Sequence, residues 1–314
     1  MNAEQPPTIS VVDPLTPAFE RVKTVLFRPF DLGRWFTIGF CAWLAYLGGG
    51  GGGGGGGPRW NMHGGEAQQA FHEAKEFVLN NAYWIIPLVV IGVIFGIAVY
   101  LFFKWLSSRG RFMFLHCVAG NKAEVVIPWK KFRKHANSLF LFRIMVGIIG
   151  FLLAAIFGLI VLFVALSMKA ALGFNVFTIT GAILSALLFV ALAIVFALIQ
   201  KFTMDFVVPI MFLRTTSCVT AWREFLALLS VNKARFVLYI LFQIVIAIAI
   251  GAVVLAAALV TCCCAVCILA IPYVGTVLML PLLVFKRAYS LYYFQQFGPP
   301  FDVFSLESEP AEPV

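Results

Sequence analysis

Charge is scarce in this chain. From Phe236 to Phe285, 50 consecutive residues include no Asp, Glu, Lys or Arg. A helix that crosses a bilayer needs about 20 apolar residues, so this run holds two crossings with a tight turn around Pro272 and Gly275. Only 12% of the 314 residues are charged and 62% are hydrophobic, with a mean hydropathy of +0.97. Water-soluble domains carry roughly 25% charged residues. The composition excludes an ordinary soluble domain and predicts an all-α integral membrane helical bundle.

Acids are missing from every long apolar segment, which argues against an ion-coupled pump. No paired acids, His-x-x-x-His run or nucleophile–base pair lies within those segments, so we expect no enzyme. Ten glycines, Gly48 to Gly57, follow the first apolar segment, but no P-loop Lys-Ser/Thr comes after them. Either the first of them complete a short first span or the bilayer adapts to it, and the distal ones read as a flexible tether. Residues 1–16 lack the basic start and apolar core of a cleavable signal, so the first span is expected to act as its own insertion signal.

Metal-ligand patterns are also absent. Of seven cysteines, Cys262, Cys263, Cys264 and Cys267 cluster at the end of the fifth apolar segment with no histidine nearby, and they read as small hydrophobes. A disulfide among the exposed members stays open. His63 and His72 lie near Glu66 and Glu76 at a spacing too loose for a metal site. No cofactor is expected.

Six spans are expected at about 35–53, 82–103, 144–168, 178–199, 236–259 and 271–292. They form a membrane domain over residues 16–298, between a flexible tail at 1–15 and a disordered acidic tail at 299–314. Of the 23 Lys and Arg, 20 fall on one side of this arrangement, leaving Arg59, Lys75 and Lys169 on the other. The positive-inside rule then places both termini in the cytoplasm. Because these residues alternate with apolar spans, lipid explains the net charge of +9 better than nucleic acid does.

Short amphipathic helices are expected at the interface. One starts with Thr16 as N-cap and Pro17, then places Phe19, Val22, Val25 and Leu26 on one face, opposite Glu20, Arg21 and Lys23. Another sets Trp129, Phe132, Ala136 and Leu139 against Lys130, Lys131, Arg133 and Lys134, which are the candidate contacts for anionic lipid headgroups. Trp222, Phe225, Leu226 and Leu229 form a third, and residues 66–79 a milder one on the other side. Trp35, Trp84, Trp105, Tyr289, Tyr292 and Tyr293 read as aromatic belts.

Lys201 and Asp205, one helical turn apart, form the candidate polar site: a boundary ion pair where a helix leaves the bilayer. Gln243, the main strongly polar side chain of the fifth span, is expected to make an interhelical hydrogen bond or to line a cavity. A weak internal repeat relates Met113-Phe114-Leu115, Trp129, Phe132 and Asn137 to Met211-Phe212-Leu213, Trp222, Phe225 and Asn232.

The segment Leu26 to Phe36 (LFRPFDLGRWF), the short first span and the glycine-rich stretch resemble uncharacterised bacterial polytopic membrane proteins. Residues Asp205 to Phe301 are loosely similar to the non-catalytic membrane domains attached to some glycerophosphodiester phosphodiesterases. The resemblance implies a bacterial inner-membrane location and a helical bundle, and brings no catalytic residue. The expected function is a non-enzymatic scaffold, assembly or regulatory component, with membrane proteins or further copies of itself as partners. The alternative is a transporter or channel for a small solute or lipid, suggested by the repeat and by Pro87, Pro209, Pro272 and Pro281 as helix breaks.

Overall fold

The computed structural model describes residues 9–47, 80–170, 176–261, 269 and 271–307. Every regular element among them is helical. In chain order these are α1 (Leu15–Leu26), α2 (Leu32–Tyr46), α3 (Ala82–Gly120), α4 (Val126–Lys131), α5 (Arg133–Ala170) and α6 (Val176–Phe202). A π-helical turn (Thr203–Val207) leads into α7 (Val208–Arg214), followed by α8 (Cys218–Val231), α9 (Lys233–Val260), α10 (Val274–Leu278) and α11 (Leu280–Gln295).

Four stretches are long and apolar enough to cross a membrane: Ala82–Gly120, Arg133–Phe163, Ile183–Arg214 and Lys233–Val260. At 39 residues, α3 rises about 58 Å, well beyond the ~30 Å of hydrocarbon in a bilayer. The excess is used for folding. In α3, Val89, Val93 and Ile97 are exposed, whereas Ser107 to Gly110 and Phe112 to Leu115 are buried. The same division recurs where Phe132, Ala136 and Leu139 precede exposed Ile148 and Phe151, and where Phe236, Tyr239 and Gln243 precede exposed Val253 and Leu255. The core is therefore gathered at one end of the long helices. The segments 104–143 and 201–235, which lie between expected spans, are mostly helical and supply much of that core.

Aromatic rings fill it. Phe206 stacks on Phe225 at 5.3 Å and meets Phe236 edge-on at 5.1 Å and Tyr239 at 5.0 Å. Phe132 lies between Phe112 and Phe212, at 5.7 and 4.7 Å. Each such pair adds about 0.5–1.5 kcal/mol beyond its area burial. Tyr289 and Tyr293 are fully buried here. They are core residues rather than members of an interfacial belt.

Two expected spans are not among the four long helices. The first is represented by α2, 15 residues rising about 22 Å, with Asp31 capping its start by accepting from the Gly33 amide at 2.9 Å. It runs antiparallel along the buried half of α3: Arg34 bonds the Asn121 carbonyl at 2.6 Å, Cys41 and Cys117 have Sγ atoms 3.8 Å apart, and Ser107 donates to the Ala45 carbonyl at 2.9 Å. The last expected span is broken between α10 and α11, with Tyr273 at φ 71 and Pro281 opening the second piece. These two short segments pair with each other, since Val277 lies against Gly39 and Tyr273 donates to the Phe36 carbonyl at 3.0 Å. The glycine run, residues 66–79 and Cys262–Cys267 lie outside the described residues.

The helix expected to begin at Thr16 starts at Leu15, with Pro14 as its cap. Phe19 is exposed, and Arg21, expected on the solvated face, is buried. The reason is that Arg21 caps the end of α3, donating from Nε to the Val118 carbonyl at 2.9 Å and from Nη2 to that of Ala119. Ser10 and Gln296 exchange two hydrogen bonds, at 2.7 and 3.0 Å, so the two ends of the fold meet at the core. Residues 299–307, expected in the disordered tail, form two short 3-10 turns, with Val303 buried and Phe304 stacked on Tyr292 at 4.2 Å.

The repeated sequence blocks also share local structure. In each, a long helix ends on a left-handed residue, Asn121 (φ 52) or Thr215 (φ 48), and is followed by an amphipathic helix and another long apolar helix. In a variant retaining only Cys41 and Cys117, mild oxidation is expected to form one intramolecular disulfide, seen as a mass loss of about 2 Da. Failure to crosslink would contradict the α2–α3 register.

Candidate functional site

The polar residues of the core form a layer where the buried ends of the long helices give way to their exposed apolar halves. Its geometry begins with Pro209. Proline has no N–H, so the helix cannot donate from residue 209 to the carbonyl of Asp205, and the chain makes a π-turn over Thr203–Val207 just before it. Asp205 sits within that turn.

The structure brings Lys201 and Asp205 together, with Nζ 2.8 Å from Oδ2. Two further side chains close a ring of which the sequence shows only part. Tyr239 donates to the same Oδ2 at 2.9 Å, Gln243 donates from Nε2 to the Tyr239 hydroxyl at 3.0 Å, and Lys201 donates back to Gln243 Oε1 at 3.3 Å. Gln243 thus makes the expected interhelical bond. Tyr239 escapes sequence reading because it looks like any aromatic of an apolar span. Its four-residue spacing from Gln243 is the available signal.

Around this ring the charge is one-sided. Arg287 donates to the Met204 carbonyl at 2.6 Å, and Arg143 donates to the Ser108 hydroxyl at 3.1 Å. Lys104, Arg111 and Lys286 complete a set of cations at Coulombic range, in which Asp205 is the only carboxylate among the described residues. The Nε and Nη1 atoms of Arg111 are buried with no hydrogen-bond partner. In the sequence these basic residues speak to topology alone.

Lys130, Lys131, Arg133 and Lys134 are all exposed. The expected single helix is divided at Phe132, and its apolar face docks on the protein core through Phe132, Ala136 and Leu139. Nearby, Arg109 lies between the rings of Trp105 and Trp129, 4.2 and 4.6 Å from their centroids. A separate open cleft of about 460 Å³ involves Asp31, Arg34, Lys122 and Glu124, whose charges balance. Cys218 is buried at the start of α8, and burial pushes its thiol up to about 12. Only thiolates alkylate readily, so Cys218 is expected to stay unmodified by iodoacetamide at about pH 8 in the folded protein and to react on denaturation. Peptide mass mapping reads both states.

These features define an all-helical membrane protein with four long apolar helices and a core packed at their polar ends. The chain belongs to a family of unknown function, DUF7544, whose model matches residues 9–293. No curated protein and no solved structure matches the chain.

Proposed function

We propose that this chain is a multi-pass inner-membrane protein with a non-enzymatic scaffold, assembly or regulatory role. The observation that carries the reading is the closed core: aromatic stacking and the Lys201–Asp205–Tyr239–Gln243 ring tie the polar ends of the long helices into one block. Such a block holds helices in fixed relation while their apolar halves face lipid.

Chain direction supports six passages. α3 and the α6–α7 stretch end at the core, whereas α5 and α9 begin there, and Ser10 and Gln296 are bonded at the same end. These directions fit six crossings: four by the long helices, one before Ala82 and one after Val260. With the basic residues facing inward, both termini are cytoplasmic. Reporter fusions after Gly57 and after Gln296 are expected to read opposite sides. A same-side result would overturn the six-passage arrangement.

Exposed Lys130, Lys131, Arg133 and Lys134 then face the inner leaflet, where each basic residue contributes about 1 kcal/mol of attraction to anionic lipid. Neutralising all four is expected to lower the enrichment of labelled phosphatidylglycerol around the reconstituted protein, read by energy transfer; unchanged transfer would contradict the contact. The transporter alternative draws on the repeated element order and the π-turn. Solute uptake by purified protein in vesicles, abolished by Asp205→Asn, would favour it over the scaffold.

A further inference from the structure

We propose that the polar layer is an anion site that takes a phosphate group between α3, α5 and α11, with Arg111 as its central ligand. The inference rests on the reading that the long helices cross a membrane. Six cations, Lys104, Arg111, Arg143, Lys201, Lys286 and Arg287, meet one carboxylate there. That carboxylate is already engaged, since Asp205 Oδ2 accepts from both Lys201 and Tyr239. Burying a guanidinium without an acceptor is costly, so unpaired donors in this position call for an anion that the chain itself does not supply.

The donors fit phosphate. Arg111 presents Nε and Nη1 without partners, and Nη1 belongs to the terminal Nη1/Nη2 fork that grips phosphate oxygens in pairs. Arg143 and Lys104 stand at Coulombic range of Arg111 and of each other, with the Lys104 ammonium 5.3 Å from the centroid of the Tyr100 ring. Tyr46, from the end of α2, reaches the same layer.

Position says what bears the phosphate. Lys104 and Arg143 lie at the boundary between the buried core and the exposed apolar halves: Phe102 and Phe103 precede Lys104, and Met145 and Ile148 follow Arg143. A phospholipid held here has its headgroup on the basic layer and its chains along the apolar faces, as basic pockets between spanning helices on the cytoplasmic side do. Inorganic phosphate shares the same chemistry, so the test separates the two sources.

The full chain in neutral detergent is titrated with phosphatidylglycerol, with the matching diacylglycerol, and with inorganic phosphate at constant ionic strength, following the unfolding midpoint. Phosphatidylglycerol is expected to raise it saturably and diacylglycerol to leave it unchanged. Arg111→Gln should weaken the lipid response about tenfold and Lys104→Gln about threefold, while Arg223→Gln, an exposed cation outside the layer, leaves it intact. An equal response to inorganic phosphate, lost in the same variants, assigns the site to the free anion. If Arg111→Gln does not fold, Lys104→Gln and Arg143→Gln carry the test. The proposal is overturned if neither phosphate source shifts the midpoint, or if the layer variants respond as the parent does. Alkaline washing of membranes separates the two levels: release of the chain defeats the membrane reading, whereas retention without phosphate binding defeats only this site.

Discussion

Asp205→Asn is expected to destabilise the protein more than Asp205→Asn combined with Lys201→Gln. The Asp205 side chain is 13% exposed and that of Lys201 33%, so the pair is partly withdrawn from water. Asparagine still accepts from Tyr239, but it leaves Lys201 with only Gln243, at 3.3 Å. It also removes the only carboxylate of the basic layer among the described residues. Breaking a fully buried pair costs about 3–5 kcal/mol. With a third of Lys201 exposed, we expect roughly 2 kcal/mol for the single variant and about half that for the double, where no orphaned charge remains. Thermal unfolding in neutral detergent of the parent, both singles and the double reads the coupling. Additive effects near zero would show a solvated pair.

Gly110→Ala is expected to destabilise by roughly 1–3 kcal/mol, although alanine is the better helix former by about 1 kcal/mol. A Cβ at Gly110 would stand 2.5 Å from the Ala45 nitrogen and from the Leu44 carbonyl carbon, both backbone atoms of α2. Neither can rotate away, so α2 must shift off α3. Gly96 lies on the same helix but in its apolar half, where a Cβ would meet nothing within 4 Å, and Gly96→Ala is expected to be neutral or slightly stabilising. Equal effects in the two variants would contradict the close approach of α2 and α3.

The sequence made the long apolar helices legible because about 20 residues without charge have few other folds open to them. Lys201 and Asp205 were legible for a similar reason, as charges at the rim of an apolar run. Tyr239, Arg111 and Arg287 were not. Their roles depend on which helix faces which, and a tyrosine in an apolar stretch or an arginine at its end carries no mark of the partner it meets. The amphipathic segment containing Phe132 is legible too, but periodicity cannot say whether an apolar face meets lipid or protein. Phe112 and Phe212 decide that here. Similarly, the short α2 reads as a span of its own, and its neighbours show it lying along the buried half of α3.

On the proposed reading, the long helices cross lipid with their apolar halves while the core sits at their polar ends. The most direct test is a nitroxide walked from Ile86 along α3 and past its end to Lys122 in vesicles, with its accessibility to oxygen and to a water-soluble nickel chelate measured at each position. An oxygen maximum and nickel minimum are expected around Ile94, low accessibility to both from Ser107 to Val118, and a nickel maximum at Lys122. Nickel access throughout Ile91 to Phe103, with no oxygen maximum there, would contradict that reading.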